Sequence, residues 1–181
     1  MQEQHHKTVT LVLGGVRSGK SRLALTLASR FARVAFIATA KVSDDEMRVK
    51  IERHRAERPA HWRTIEEPLA LDTAILAGAS DADVVVVDCL TIHAAHLMEL
   101  EESEHAAVMD RLIQALRQPP VHMILVSNEV GSGVVPAYPV GRRYRDLLGE
   151  MNQAVAAVAD NVVLTVAGLP LVLKGQLEAQ P

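Results

Sequence analysis

The feature that most limits what this chain can fold into lies near its start. Thr8-Val9-Thr10-Leu11-Val12-Leu13 is β-branched and apolar, and Gly14-Gly15-Val16-Arg17-Ser18-Gly19-Lys20-Ser21 follows it directly. Those eight residues fit G-x-x-x-x-G-K-[ST], a loop whose inward-turned amides cradle phosphate oxygens. Arg22-Leu23-Ala24-Leu25-Thr26-Leu27-Ala28, of high helix propensity, comes next. A strand that runs through such a loop into such a helix predicts a nucleoside-triphosphate site. The helix begins near Gly19, so its unpaired N–H groups and the positive end of its dipole add to the hold on phosphate. Lys20 is expected to reach the β and γ phosphates, and Ser21 to ligate Mg²⁺.

Further apolar runs extend this start into a parallel sheet. Residues 33–39, 83–88, 121–126 and 161–166 are apolar nearly throughout, as strands covered on both faces tend to be. Asp83-Val84-Val85-Val86-Val87-Asp88 has the form of a Walker B strand, whose terminal carboxylate holds Mg²⁺ directly or through water. Ser127-Asn128-Glu129-Val130-Gly131 puts polar residues at a strand's carboxyl end, where open α/β sheets place their chemistry. Between these runs the patterning predicts helices over 69–76, closed by Gly78, and over 90–99 and 103–117. His61 to Glu67 reads as an edge strand with Trp62 as core. Residues 131–141, rich in Gly and Pro, read as a long loop or lid, after which Arg142, Arg143 and Arg145 open the last helix. A turn at Gly168-Leu169-Pro170 then yields an antiparallel edge hairpin.

The segment before Pro59 carries a second chemical signal. Ser43-Asp44-Asp45-Glu46 has the form of a capping box, and Met47, Ile51, His54 and Arg58 share one face of the helix it opens. Lys50, Arg53, Arg55 and Arg58 surround His54, and neighbouring positive charge disfavours the imidazolium and leaves a ring lone pair for attack on phosphorus. The residues alone leave two readings open. His54 is either a packing residue beside Ile51 on an ordinary solvated helix, which composition favours, or a nucleophile. His93, His96 and His105 have no third partner at zinc-site spacing and read as packing or surface residues.

Composition bounds the function. With 181 residues, 49% hydrophobic and a net charge of −3, the chain suits one domain over 8–175, between tails at 1–7 and 176–181. Aromatics are only 3%, with no aromatic-basic stripe, so small molecules rather than nucleic acid are the expected partners. Cys89 stands alone, which excludes an internal disulfide and fits a reducing cytoplasm. No apolar run is long enough for a membrane span, and residues 1–7 lack a signal-peptide core. The expected fold is α/β and P-loop NTPase-like: a mostly parallel central sheet with helices on both faces and an antiparallel edge hairpin near the C-terminus.

The chain also resembles a known family, the bifunctional adenosylcobinamide kinases and adenosylcobinamide-phosphate guanylyltransferases of cobalamin assembly. The resemblance runs from Thr10 to Lys174. It rests on the glycine loop, Ile37-Ala38-Thr39-Ala40, Ile51-Glu52-Arg53-His54-Arg55, Arg58-Pro59-Ala60-His61-Trp62, Asp88-Cys89-Leu90-Thr91, Asn128-Glu129-Val130-Gly131, Arg145-Asp146 and Asn152-Gln153. It implies phosphorylation of adenosylcobinamide, then transfer of GMP from GTP to the new phosphate, giving adenosylcobinamide-GDP, in a homotrimer. In such enzymes the residue matching His54 carries GMP covalently. Ala38, Thr39, Ala40, Arg55, Ala56, Glu57, Arg58, Glu66 and Asp88 are then expected around the nucleotide, with Glu66 or Asp88 organising Mg²⁺. Some relatives have two adjacent histidines where this chain has Arg53 and His54, and no N-K-x-D guanine-reading segment is present. Two other readings stay open: a P-loop kinase for another small alcohol, and a nucleotide-dependent partner-binding module that switches through the 131–141 loop.

Overall fold

In the computed structural model of the chain, residues 7–41 and 45–177 are described. Most of the two expected tails lies outside them, as do Ser43 and Asp44 of the expected capping box and the side chains of Glu46, Met47 and Lys50.

The first apolar run forms β1 (Val9–Gly14), between β5 (His122–Asn128) and β6 (Asn161–Val166). Beyond β5 lie β4 (Val84–Asp88), β2 (Val34–Ala38) and β3 (Arg63–Glu66). Beyond β6 lies β7 (Leu169–Lys174), so the order is β3-β2-β4-β5-β1-β6-β7. Every pairing is parallel except β6 with β7.

Alternation along the strands builds two apolar layers. Leu11, Ile37, Val85, Val87 and Leu125 face one side with the buried residues of α3 (Leu71–Ala79), α4 (Leu90–Leu97), α5 (Glu102–Arg117) and α6 (Pro139–Val158). Val12, Phe36, Val84, Val86 and Val126 face the other, against Ala24 and Ala28 of α1 (Lys20–Ala28) and against Trp62. Each fully buried aliphatic side chain contributes about 1.5–3 kcal/mol, so the paucity of aromatics is no handicap. The helix α2 (Asp45–Ala56) adds no buried residue to either layer among its described side chains.

Four local expectations need correction. The helix expected over 69–76 begins at Leu71, because the Glu67 carboxylate accepts the amides of Leu69 and Ala70, both at 2.9 Å. Gly78 does not close it. It lies inside the helix, where an added Cβ would stand 3.2 Å from Ala35 Cβ and 3.3 Å from Val85 Cγ2, so glycine there permits close helix–sheet approach. The last helix begins at Pro139, before the arginines, since proline's fixed φ suits a first helical turn; the expected loop is correspondingly shorter. The hairpin turns at Ala167 (φ 51°) and Gly168 (φ 82°), the doubly left-handed geometry that matches strand twist, and Pro170 sits within edge strand β7.

All parallel strands end at one edge of the sheet. The glycine loop, Thr39, Asp88, Cys89 and Asn128 therefore meet there.

Candidate active site

The glycine loop is held from its far side by the hairpin. Thr165 Oγ1 donates to the Leu13 carbonyl at 2.9 Å, so the 2.8 Å contact between Ser18 and Thr165 must have Ser18 Oγ as donor. Both residues are buried. The Gly168 N–H donates to the Ser18 carbonyl at 2.8 Å. Gly19, at φ 100°, leads into α1, and a Cβ on it would stand 3.1 Å from Gly168 Cα. Gly14 is equally constrained, since a Cβ there would collide with the hydroxyls of Ser18 and Thr165. Lys20 Nζ donates to the Gly15 carbonyl at 3.0 Å, which arches it back over the loop. Val16 and Arg17 are exposed at its tip, and Ser21 is half-buried in the first turn of α1.

Asp88 ends β4, two strands from the loop, with β5 between them. Thr39 latches the corner after it: its hydroxyl donates to the Cys89 carbonyl at 2.8 Å and accepts the Cys89 N–H at 2.9 Å, while its own N–H donates to the Asp88 carbonyl at 3.2 Å. Thr39 is fully buried, so its side chain serves the corner and not the surface. Burial pushes the Cys89 thiol up to about 11, with the Asp88 charge adding to it, so this cysteine stays protonated at neutral pH.

Burial likewise raises the Asp88 carboxyl above the usual carboxylate range; the neighbouring His54, Lys20 and Arg58 oppose the shift, and Glu57 adds to it. The loop lysine, the histidine of α2 and an arginine after it thus all act on one carboxyl group. Oxygen donors of this kind, the Ser21 hydroxyl and the Asp88 carboxylate, suit Mg²⁺, which takes one or two protein oxygens and completes its shell with water and phosphate. Among the described residues no group of three or more His, Cys, Asp or Glu is placed to hold a metal ion by itself.

His54 is half-buried near the end of α2. Arg58 is not on the helix face with it, because α2 ends at Ala56; the chain folds Arg58 back instead. Its Nε donates to the His54 carbonyl at 3.0 Å, its Nη1 to Thr64 Oγ1 at 3.2 Å, and its guanidinium lies 4.2 Å from the centre of the Phe36 ring. Burial and the neighbouring Arg55 lower the Arg58 pKa. Arg55 pairs with Glu66 at 3.2 Å, which ties the end of α2 to the end of β3, while Ala56 and Glu57 are exposed. A cleft of about 280 Å³ opens beside them, lined by Ala40, Lys41, Ile51, Glu66, Glu67 and Pro68.

Sequence reasoning put Asn128 among polar residues at a strand's carboxyl end but missed the contacts that hold it. Thr91 Oγ1 accepts the Asn128 N–H at 2.8 Å, Asn152 Nδ2 donates to the Asn128 carbonyl at 3.0 Å, and the Tyr144 hydroxyl donates to the Thr91 carbonyl at 3.1 Å. Burial pushes the Tyr144 phenol up to about 12. For Thr165 the signal was a polar residue inside an apolar run, Val163-Leu164-Thr165-Val166. His93 is a core residue, bonded to the Pro68 carbonyl at 2.8 Å with its pKa lowered by burial.

Comparison with known proteins bears on the fold and the family. A solved structure described as a prototypical ATPase from the type III secretion system of pathogenic bacteria superposes with a TM-score of 0.56 at 11% identity, over 91% of this chain and 56% of that one. At that identity it shows the fold, which is P-loop NTPase-like. The bifunctional adenosylcobalamin biosynthesis protein CobP of Pseudomonas aeruginosa is 46% identical over 92% of this chain and 97% of its own. The bifunctional adenosylcobalamin biosynthesis protein CobU of Salmonella typhimurium is 40% identical over 91% and 98%. Residues 10–173 match the family described as cobinamide kinase / cobinamide phosphate guanyltransferase, and the chain belongs to that family.

Proposed function

We propose that this chain phosphorylates adenosylcobinamide and then transfers GMP from GTP to the product, giving adenosylcobinamide-GDP through a guanylyl group carried on His54. The observation that carries the reading is geometric: Arg55 ties the end of α2 to Glu66 at the carboxyl end of β3, and Arg58 donates to the His54 carbonyl while packing on Phe36 of β2, so the end of α2 that bears His54 is fastened to the sheet edge from which the glycine loop emerges.

In the first reaction the loop amides, Lys20 and the start of α1 hold the triphosphate, and the substrate hydroxyl attacks the γ-phosphorus as the bridging bond to the β-phosphate breaks. Ser21 and Asp88 would hold Mg²⁺, which when bound neutralises charge between the phosphates. In the second reaction a His54 ring nitrogen attacks the α-phosphorus of GTP, the new N–P bond replaces the bond to pyrophosphate, and pyrophosphate leaves. In this reading Arg55 and Arg58 offset charge on the oxygens. An oxygen of adenosylcobinamide phosphate then attacks the same phosphorus, and the N–P bond breaks to return the imidazole. The nucleotide-lining roles of Ala38, Ala40, Ala56, Glu57 and Glu66 belong to this reading, with Thr39 acting on the pocket through the Cys89 corner it latches. So do the homotrimer and the cytoplasmic setting; for the latter, no described helix is long and apolar enough to cross a membrane.

The test is incubation with GTP labelled at the α-phosphorus. The chain should retain an acid-labile, alkali-stable label that His54→Ala abolishes. Label that persists in that variant, or no label on the unaltered chain, refutes the covalent route.

A further inference from the structure

We propose that Asn128 orients the hydroxyl that receives the phosphoryl group, accepting its hydrogen bond on Oδ1. The inference rests on the kinase reading above and names the residue that would place the alcohol.

Position comes first. Asn128 is the last residue of β5, the strand between the glycine loop and Asp88. It pairs in register with Gly14 on β1, and Val126 pairs with Asp88 on β4. Val126 faces the α1 layer, so strand alternation puts Asn128 on that same face, and Asp88 shares it with Val84 and Val86. Strand spacing and rise set Asn128 Cα about 5 Å from Gly14 Cα and about 8 Å from Asp88 Cα. An incoming oxygen must approach the γ-phosphorus in this interval.

Partners come second. Both backbone groups of Asn128 are engaged, the N–H with Thr91 and the carbonyl with Asn152. The side chain is therefore held at a defined place while its buried Oδ1 makes no hydrogen bond among the described residues. A buried polar atom left unpaired is costly, and its placement calls for a partner. Oδ1 is an acceptor and cannot face a phosphate oxygen; it requires a donor. Lys20 Nζ donates one proton to the Gly15 carbonyl, and in the kinase reading its other protons serve the triphosphate. The reacting alcohol brings an O–H. As its oxygen bonds to the γ-phosphorus, the nucleoside diphosphate departs with the bridging oxygen and the hydroxyl proton passes to water. The amide orients the hydroxyl without taking that proton.

The two half-reactions separate the roles, because loading His54 from GTP involves no alcohol. Asn128→Ala and Asn128→Asp would be assayed with adenosylcobinamide and ATP for phosphorylation, and with α-labelled GTP for label on the chain. Asn128→Ala should lower kcat/KM for adenosylcobinamide by about 10- to 100-fold while labelling changes by much less, and Asn128→Asp, which keeps an acceptor oxygen, should recover part of the loss. Unchanged phosphorylation in Asn128→Ala overturns the proposal, as does an equal loss in both reactions or in both variants. Failure of the unaltered chain to phosphorylate adenosylcobinamide overturns the kinase reading itself, and the assignment with it.

Discussion

The hold of the hairpin on the glycine loop can be tested by removing one hydroxyl. Thr165→Val nearly keeps the shape of the side chain but deletes the acceptor for Ser18 Oγ and the donor to the Leu13 carbonyl. Ser18 is only 8% exposed, so its hydroxyl is left without a partner and without ready access to water. An orphaned buried hydroxyl costs about 1–3 kcal/mol, and the lost bond to Leu13 about 0.5–1.5 more. The sum, roughly 2–4 kcal/mol, predicts a fall in Tm of about 5–15 °C for a chain of this size. Replacing both partners by apolar groups removes the orphan, so Ser18→Ala combined with Thr165→Val should be more stable than Thr165→Val alone, by about 1 kcal/mol or more. Urea denaturation of the unaltered chain, both single variants and the double variant closes the cycle, and titration with a fluorescent GTP analogue follows loop integrity. A Thr165→Val variant within about 0.5 kcal/mol of the unaltered chain, or a double variant no better than it, would refute the argument.

Three more predictions follow from single contacts. Asp88 has its pKa raised by burial, so the stability it contributes is present below the unfolded value near about 4 and is lost as pH rises through the folded value; Asp88→Asn should therefore match the unaltered chain in urea at low pH and exceed it at neutral pH without nucleotide, and a pH-independent difference would sink this. Thr39→Val strands the Cys89 carbonyl and amide that the hydroxyl joins, and should lower phosphorylation at least tenfold, with Thr39→Ser retaining most of it; equal activity in both variants counts against the latch. Gly149→Ala in α6, where a Cβ meets nothing within 4 Å, should gain about 0.5–1 kcal/mol, whereas Gly78→Ala loses that gain to contacts with Ala35 and Val85; thermal melts in which both gain alike would contradict the packing account.

The legible parts of this fold were those written in local pattern. Val84 to Val87 could hardly be anything but a buried strand, and Pro59 had to stop the helix before it. Boundaries failed where a distant or unusual partner set them. The start of α3 depends on a carboxylate from the preceding strand's end, and Gly78 is a packing requirement of Ala35 and Val85 rather than a stop signal. Pro139 reads as a breaker in isolation and acts as a starter. At the site, Lys20, Ser21 and Asp88 were readable by residue type and spacing, Asn128 only as one of several polar residues at a strand's carboxyl end, and His54 as a nucleophile only through the family resemblance. Thr165 and the latch role of Thr39 were not readable, since ordinary polar residues acquire such roles only from their neighbours.

Taken alone, the sequence determined the phosphate-gripping loop and the parallel α/β character of the sheet, because each depends on residues close together in the chain; His54 emerged as a candidate nucleophile only through family resemblance. Tertiary structure decided what faces what. Placing β5 between β1 and β4 sets Asn128 between the loop and Asp88, and pairing β6 with β1 brings Thr165 beneath Ser18. The Asn128–Gly14 pairing and the Thr165–Ser18 contact join residues 114 and 147 positions apart along the chain. Strand order is set by the collective burial of two apolar layers, a sum over the whole molecule that no local stretch encodes.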